Sequence, residues 1–118
     1  VVLFIMVFRP GGGGEDSWIK DNKGVWIKHG FPSETPNYVR EQQEIINCAN
    51  NLFNTKKTEG MQFNSQCLGV CGYYAVDIVN VPRSDLDNLP ENQCEAYRSG
   101  EVKHFIELDK NGEIVRVV

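Results

Sequence analysis

The chain has 118 residues, enough for one small domain with a modest core. An apolar fraction of 41% against a charged fraction of 24% excludes disorder throughout. A net charge of -4, with Lys56-Lys57 as the only adjacent basic pair, argues against nucleic acid as the main partner.

Val1 to Phe8, VVLFIMVF, is apolar at every position, so its periodicity fits either a strand buried on both faces or part of a membrane helix. A signal-peptide remnant is a third reading. The residues after Phe8 favour the membrane: Arg9 at the interface, Pro10 as a helix stop, then Gly11 to Gly14 as a flexible linker. Eight helical residues cover roughly 12 Å where a span needs ~20 residues, so the run reads as the end of a truncated membrane anchor. The glycines lack a Lys-Ser/Thr and a following helix, which rules out a phosphate loop.

Trp18 to Lys20 and Val25 to Lys28 flank Asp21-Asn22-Lys23-Gly24, whose side-chain acceptors and final glycine specify a turn. The stretch reads as a β-hairpin carrying two tryptophans. They either pack on the domain, the reading preferred here, or face a sugar or lipid headgroup. His29 falls in an exposed connection. Phe31 to Pro36 is a linker, and a helix starts with Thr35 as N-cap and Pro36 at its first position. Glu41 and Glu44 near its start, Lys56 and Lys57 in its last turn and Gly60 beyond agree with that span. Ile45, Cys48, Ala49, Leu52 and Phe53 form its buried stripe.

Met61 to Gly72 reads as a loop, because Asn, Ser and Gly interrupt it. Tyr73 to Val81 reads as a strand, with Tyr74, Val76 and Ile78 on one face and Ala75, Asp77 and Val79 on the other. Glu91 to Arg98 reads as one or two helical turns holding Cys94. Val102 to Leu108 and Glu113 to Val118 form a hairpin around Asp109-Lys110-Asn111-Gly112. The fold class is therefore α+β: one amphipathic helix packed on a sheet of about three antiparallel strands. The chain divides into the anchor end (1–8), a Gly-rich linker (9–17), the Trp hairpin and Pro linker (18–36) and a small α+β domain (37–118).

The segment WIKDNKGVWIKHGFPSETP resembles one found in membrane-anchored proteins of uncultured bacteria and archaea, between a membrane helix and a folded domain. Trp18, Gly24, Trp26, Lys28, His29, Gly30 and Pro32 carry the match; Lys20 stands where that segment has Cys, and Phe31 where it often has Asn. QCLGVCGYYAVDIVNVPR and NQCEAYRSGEVKHFIELDKNGEIVRVV are similar to an uncharacterised domain found behind it. The resemblance implies a location, tethered to a membrane outside the cytoplasm, and no chemistry.

The cysteines follow C-x18-C-x3-C-x22-C, unlike the paired C-x2-C knuckles of zinc sites. Two disulfides, free thiols and a zinc site all remain open; the preferred reading ties Cys48 and Cys94 to Cys67 and Cys71, in an order the spacing does not fix. Cys67 or Cys71 ahead of His104 is also loosely similar to papain-like hydrolases and cell-wall amidases, with Asp77 as a possible partner of His104. Against that similarity, the residues after Cys71 read as strand, which removes the helix terminus that lowers a thiol pKa. The expected protein is a disulfide-stabilised, membrane-tethered, extracytoplasmic binding module, with an unidentified protein or envelope partner and no cofactor or metal. A cell-envelope cysteine hydrolase is the alternative.

Overall fold

The computed structural model describes residues 16–118. The expected anchor end at 1–8 and nearly all of the 9–17 linker lie outside the described residues. Among the described residues, no helix is long and apolar enough to cross a membrane.

Strands β1 (Ser17–Lys20) and β2 (Trp26–His29) form the expected hairpin. Asp21 builds its turn: one carboxylate oxygen accepts the Lys23 and Val25 N–H groups, each at 2.9 Å. Gly24 closes it at φ 88°, and a Cβ there would lie 2.2 Å from the Val117 carbonyl oxygen. Both the positive φ and the close approach demand glycine. At this point the hairpin abuts the rest of the molecule. Val117 N–H donates to the Lys23 carbonyl at 2.7 Å. The buried Gln42 side chain donates to the Gly24 carbonyl at 2.9 Å and accepts from Trp26 N–H at 2.8 Å. Trp26 packs its ring on Tyr38, centroids 4.9 Å apart, and Trp18 donates its indole N–H to the Glu34 carbonyl. The tryptophans thus pack on their own chain.

Helix α1 spans Asn37–Thr58. Its N-cap is Pro36, not Thr35, and no side chain caps it. The Thr35 carbonyl instead accepts from the Arg40 guanidinium, which also holds Asn37 Oδ1. Ala49 and Phe53 of the expected stripe are buried, with Ile45, Ile46 and Leu52 partly so. Cys48 is exposed at the margin of that stripe, a correction to the expectation that it lies inside it.

The main sheet has four strands rather than about three: β3 (Gln66–Cys71), β4 (Tyr74–Ile78), β5 (His104–Leu108) and β6 (Ile114–Val117), in the order β3-β4-β5-β6. The added strand is β3, inside the stretch that reads as a loop. The glycine that suggested a loop marks strand irregularity instead, since the register shifts between Cys67 and Gly69. Gly72, at φ 59°, opens the two-residue turn into β4. The sheet is also mixed and not antiparallel throughout: β4 and β5 run parallel. A parallel pair needs a long crossover, and residues 79–103 supply it with two 3-10 turns (Asp85–Asn88 and Pro90–Asn92) and the short helix α2 (Glu95–Arg98).

Two disulfides are formed, Cys48–Cys71 and Cys67–Cys94. The first pins α1 to β3 on one face of the sheet, and the second pins β3 to the start of α2, capped by Cys94, on the other. The larger core lies under α1, where Val76, Ile78, Ile106 and Leu108 are fully buried. Each such aliphatic side chain contributes roughly 1.5–3 kcal/mol by leaving water. A smaller cluster of Ala75, Cys94 and Val102, with Phe105 against it, lies under α2. The alternation expected for β4 therefore holds, with one face toward each helix.

Candidate functional site

The α2 face of the sheet carries polar residues at matching register. Cys67 on β3 pairs with Asp77 on β4, Asp77 with Glu107 on β5, and Glu107 with Arg116 on β6. Register partners share a face, so these four form one row across the whole sheet. The row runs from a disulfide through two carboxyl groups to a guanidinium.

Glu107 is its anchor, only 4% exposed. Its two oxygens accept from separate arginines: Arg116 Nε on Oε1 and Arg83 Nη1 on Oε2, both at 2.8 Å. Such charge-assisted bonds offset the desolvation of a buried carboxylate. The Arg116 guanidinium also lies over the Phe105 ring, 5.1 Å from its centroid, and Tyr97 of α2 meets that ring edge-on at 5.1 Å.

Arg83 belongs to the crossover, and Asp87 fixes the backbone on both sides of it. The buried Asp87 carboxylate accepts from the N–H groups of Ser84 at 2.9 Å and Asn80 at 3.1 Å. Burial alone would raise the Asp87 pKa. Hydrogen bonds from Ser84, Ser65 and Asn80, with the Arg83 charge, outweigh burial and hold it below the usual carboxylate range.

Asp77 behaves in the opposite way. Its pKa is pushed up to about 7, first by burial and second by the Glu107 charge; the Cys94 backbone N–H and the Arg83 charge oppose the shift only in part. Its Oδ1 lies 3.2 Å from Cys94 Sγ. A disulfide sulfur carries no proton, so the sulfur is not a donor in this contact; the carboxyl, when protonated, is the one group here with an O–H to offer. Asp77 thus keeps a substantial share of its proton near neutrality, beside a Glu107 whose two oxygens are held by arginines.

Above the row lies a cleft of about 200 Å³. Asp77, Asp87, Glu107, Arg83 and Arg116 are its charged and titratable side chains on the sheet and crossover, with Phe105 and Tyr97 beside them. Its donors are the two guanidiniums: each gives one N–H to Glu107, Arg83 gives another to Asn88 Oδ1 at 3.2 Å, and each keeps further N–H groups for a ligand.

The residues singled out for catalysis do not meet. His104 pairs in register with Tyr74, three positions from Asp77 on β4, which places it on the opposite face. Its ring is exposed, stacks on Tyr74 at 5.0 Å and has Nδ1 3.3 Å from the Val118 carbonyl oxygen. Among the described residues every cysteine is paired, so neither Cys67 nor Cys71 presents a free thiol to His104. Cys67, Asp77 and Cys94 place one donor atom each within 4.8 Å of one another, but the two sulfurs are bonded together and do not act as thiolate ligands.

Sequence reasoning missed Glu107, Arg83, Arg116 and Asp87. Glu107 carried the same signal as Asp77, a charge in mid-strand between apolar neighbours. The arginines had no local signal, because only the parallel register and the crossover bring them to Glu107.

No family model, curated protein or solved structure matches this chain. Two disulfides in a domain of this size fit an oxidising, extracytoplasmic environment.

Proposed function

We propose that the chain is a ligand-binding domain of a membrane-tethered extracytoplasmic protein, and that its ligand occupies the cleft above the polar row. The observation that carries this reading is the pair of guanidiniums facing a small cleft while anchored from below by one buried Glu107. An anchored guanidinium loses little side-chain freedom on binding, which favours affinity. With Asp77 protonated, Arg83 and Arg116 balance the carboxylates of Glu107 and Asp87 among the groups lining the cleft, so the cleft carries no net negative charge. Phe105 and Tyr97 supply an apolar wall. This combination suits a small molecule with a carboxylate at one end and an apolar patch at the other, about the size of one amino-acid residue or one sugar acid.

The test is a titration of isotopically labelled protein with N-acetyl amino acids, uronic acids and neutral sugars, followed by amide chemical shifts. Carboxylate ligands are expected to shift amides of β5, β6 and α2, with weaker binding once Asp77 ionises and adds a negative charge to the cleft. Arg116→Gln is expected to weaken binding by about tenfold, the loss of one charge-assisted bond. Carboxylates that move no cleft amides, or that bind Arg116→Gln equally well, would refute the assignment.

A further inference from the structure

The Cys67–Cys94 bridge differs from Cys48–Cys71 in its surroundings. Cys94 is 1% exposed, whereas Cys67 is half-buried and is the more accessible end. Around Cys94 Sγ stand three oxygens: the carbonyls of Gly69 and Val76 at 3.5 Å each, and Asp77 Oδ1 at 3.2 Å. A thiolate released among these oxygens is opposed by their partial negative charge, so departure of Cys94 requires a proton. The one acidic group touching it is Asp77.

We propose that Cys67–Cys94 is a thiol-exchanging disulfide in which an incoming thiolate attacks Cys67 and Asp77 protonates the departing Cys94 sulfur. The reductant is a dithiol. Its thiolate bonds to Cys67 Sγ as the Cys67–Cys94 bond breaks, and the electron pair of that bond leaves on Cys94 Sγ. Cys94 takes the proton from Asp77 Oδ1, which becomes a carboxylate. The dithiol's second thiol then gives its proton to water and attacks its own sulfur in the mixed disulfide, releasing Cys67 as thiolate. The dithiol is oxidised to a disulfide, and the protein bridge is reduced by two electrons.

The charged and titratable groups facing Asp77 are Glu107 from β5, Arg116 from β6, Arg83 and Asp87 from the crossover, and Tyr97 from α2. Burial and Glu107 keep the proton on Asp77 to near neutrality, so the acid is loaded where exchange is to occur. Exchange at this bridge is a property separate from ligand binding in the cleft, and its test does not require a bound ligand.

In the experiment, intact oxidised protein is mixed with dithiothreitol at several pH values, quenched with acid at timed intervals and alkylated with N-ethylmaleimide. Peptide mass spectrometry then follows the two disulfides separately, and each rate is divided by the dithiothreitol thiolate concentration. The Cys67–Cys94 rate constant is expected to fall at least ~10-fold as Asp77 loses its proton, while that of Cys48–Cys71 stays flat. Asp77→Asn is expected to hold the Cys67–Cys94 rate low at every pH, with an unchanged Cys48–Cys71 rate certifying the fold. A flat native profile for both bridges would overturn the proposal. So would fast exchange at every pH in Asp77→Asn, which would assign the pH dependence to repulsion between the carboxylate and the attacking thiolate. If Asp77→Asn alters the Cys48–Cys71 rate, the native profile decides alone.

Discussion

Replacing Glu107 by Gln removes the charge that holds both arginines and half-neutralises that pair. The carboxylate accepts two bonds of 2.8 Å, and its side chain is 5% exposed, while those of Arg83 and Arg116 are 40% and 48% exposed. Loss of one partner from a fully buried pair costs about 3–5 kcal/mol, but these arginines recover water on their open sides and Gln keeps one acceptor. The expected loss is therefore smaller, about 2 kcal/mol in mildly acidic solution, where Asp77 is protonated. Raising the pH changes the comparison. In the native chain, Asp77 has a folded pKa above its unfolded value, so its contribution to stability is full below pH 3.8 and is lost as pH rises through 7. Glu107→Gln removes the repulsion that contributes to that rise, so the variant loses less over the same window. The stability gap should shrink by about 1 kcal/mol between mildly acidic and mildly basic conditions. Urea unfolding followed by tryptophan fluorescence measures both gaps from the shift in midpoint at constant slope. A gap that is the same at both pH values, or wider at the higher one, would refute the coupling of Glu107 to Asp77.

The same geometry sets three further outcomes. Asp77→Asn should unfold at the same temperature as the native chain at low pH but at a higher one above neutrality, with a gain on the order of 2 kcal/mol by thermal melts; a gain confined to acid pH would contradict the direction of the Asp77 shift. Double replacement of Cys48 and Cys71 by Ser should cost about 3.5 kcal/mol, the chain-entropy value for a bridge spanning 23 residues, read from chemical unfolding. Gln42→Ala removes both side-chain bonds holding the β1–β2 turn, at a cost of about 2 kcal/mol; faster amide exchange at Trp26 and Val117 should accompany it, and unchanged exchange would show that the hairpin is held by other contacts.

Much of this architecture was legible in the sequence because its signals are local. The two Asp-Xaa-Xaa-Gly turns work as read: Asp109 accepts from Asn111 and Glu113 just as Asp21 does from Lys23 and Val25. The apolar spacing of α1 and the alternation of β4 likewise translated into buried faces. What the sequence hid is non-local. Gly69 and Gly72 read as loop residues, whereas they shape the bulge and turn of β3. Parallel pairing of β4 and β5 is written in no short segment, since antiparallel and parallel strands share the same alternation. That pairing decides the site. It sets Asp77 beside Glu107 and sends His104 to the other face, so the acid pair replaces the Cys-His-Asp arrangement that residue types alone had suggested.

Both the binding cleft and the exchanging bridge depend on a carboxyl group that keeps its proton to neutrality beside Cys67–Cys94. The most direct test is a titration of the Asp77 side-chain carboxyl by carbon-13 chemical shift in the intact, oxidised protein. A midpoint at about 7 is the result predicted; a midpoint at the ordinary 3.8 would contradict it.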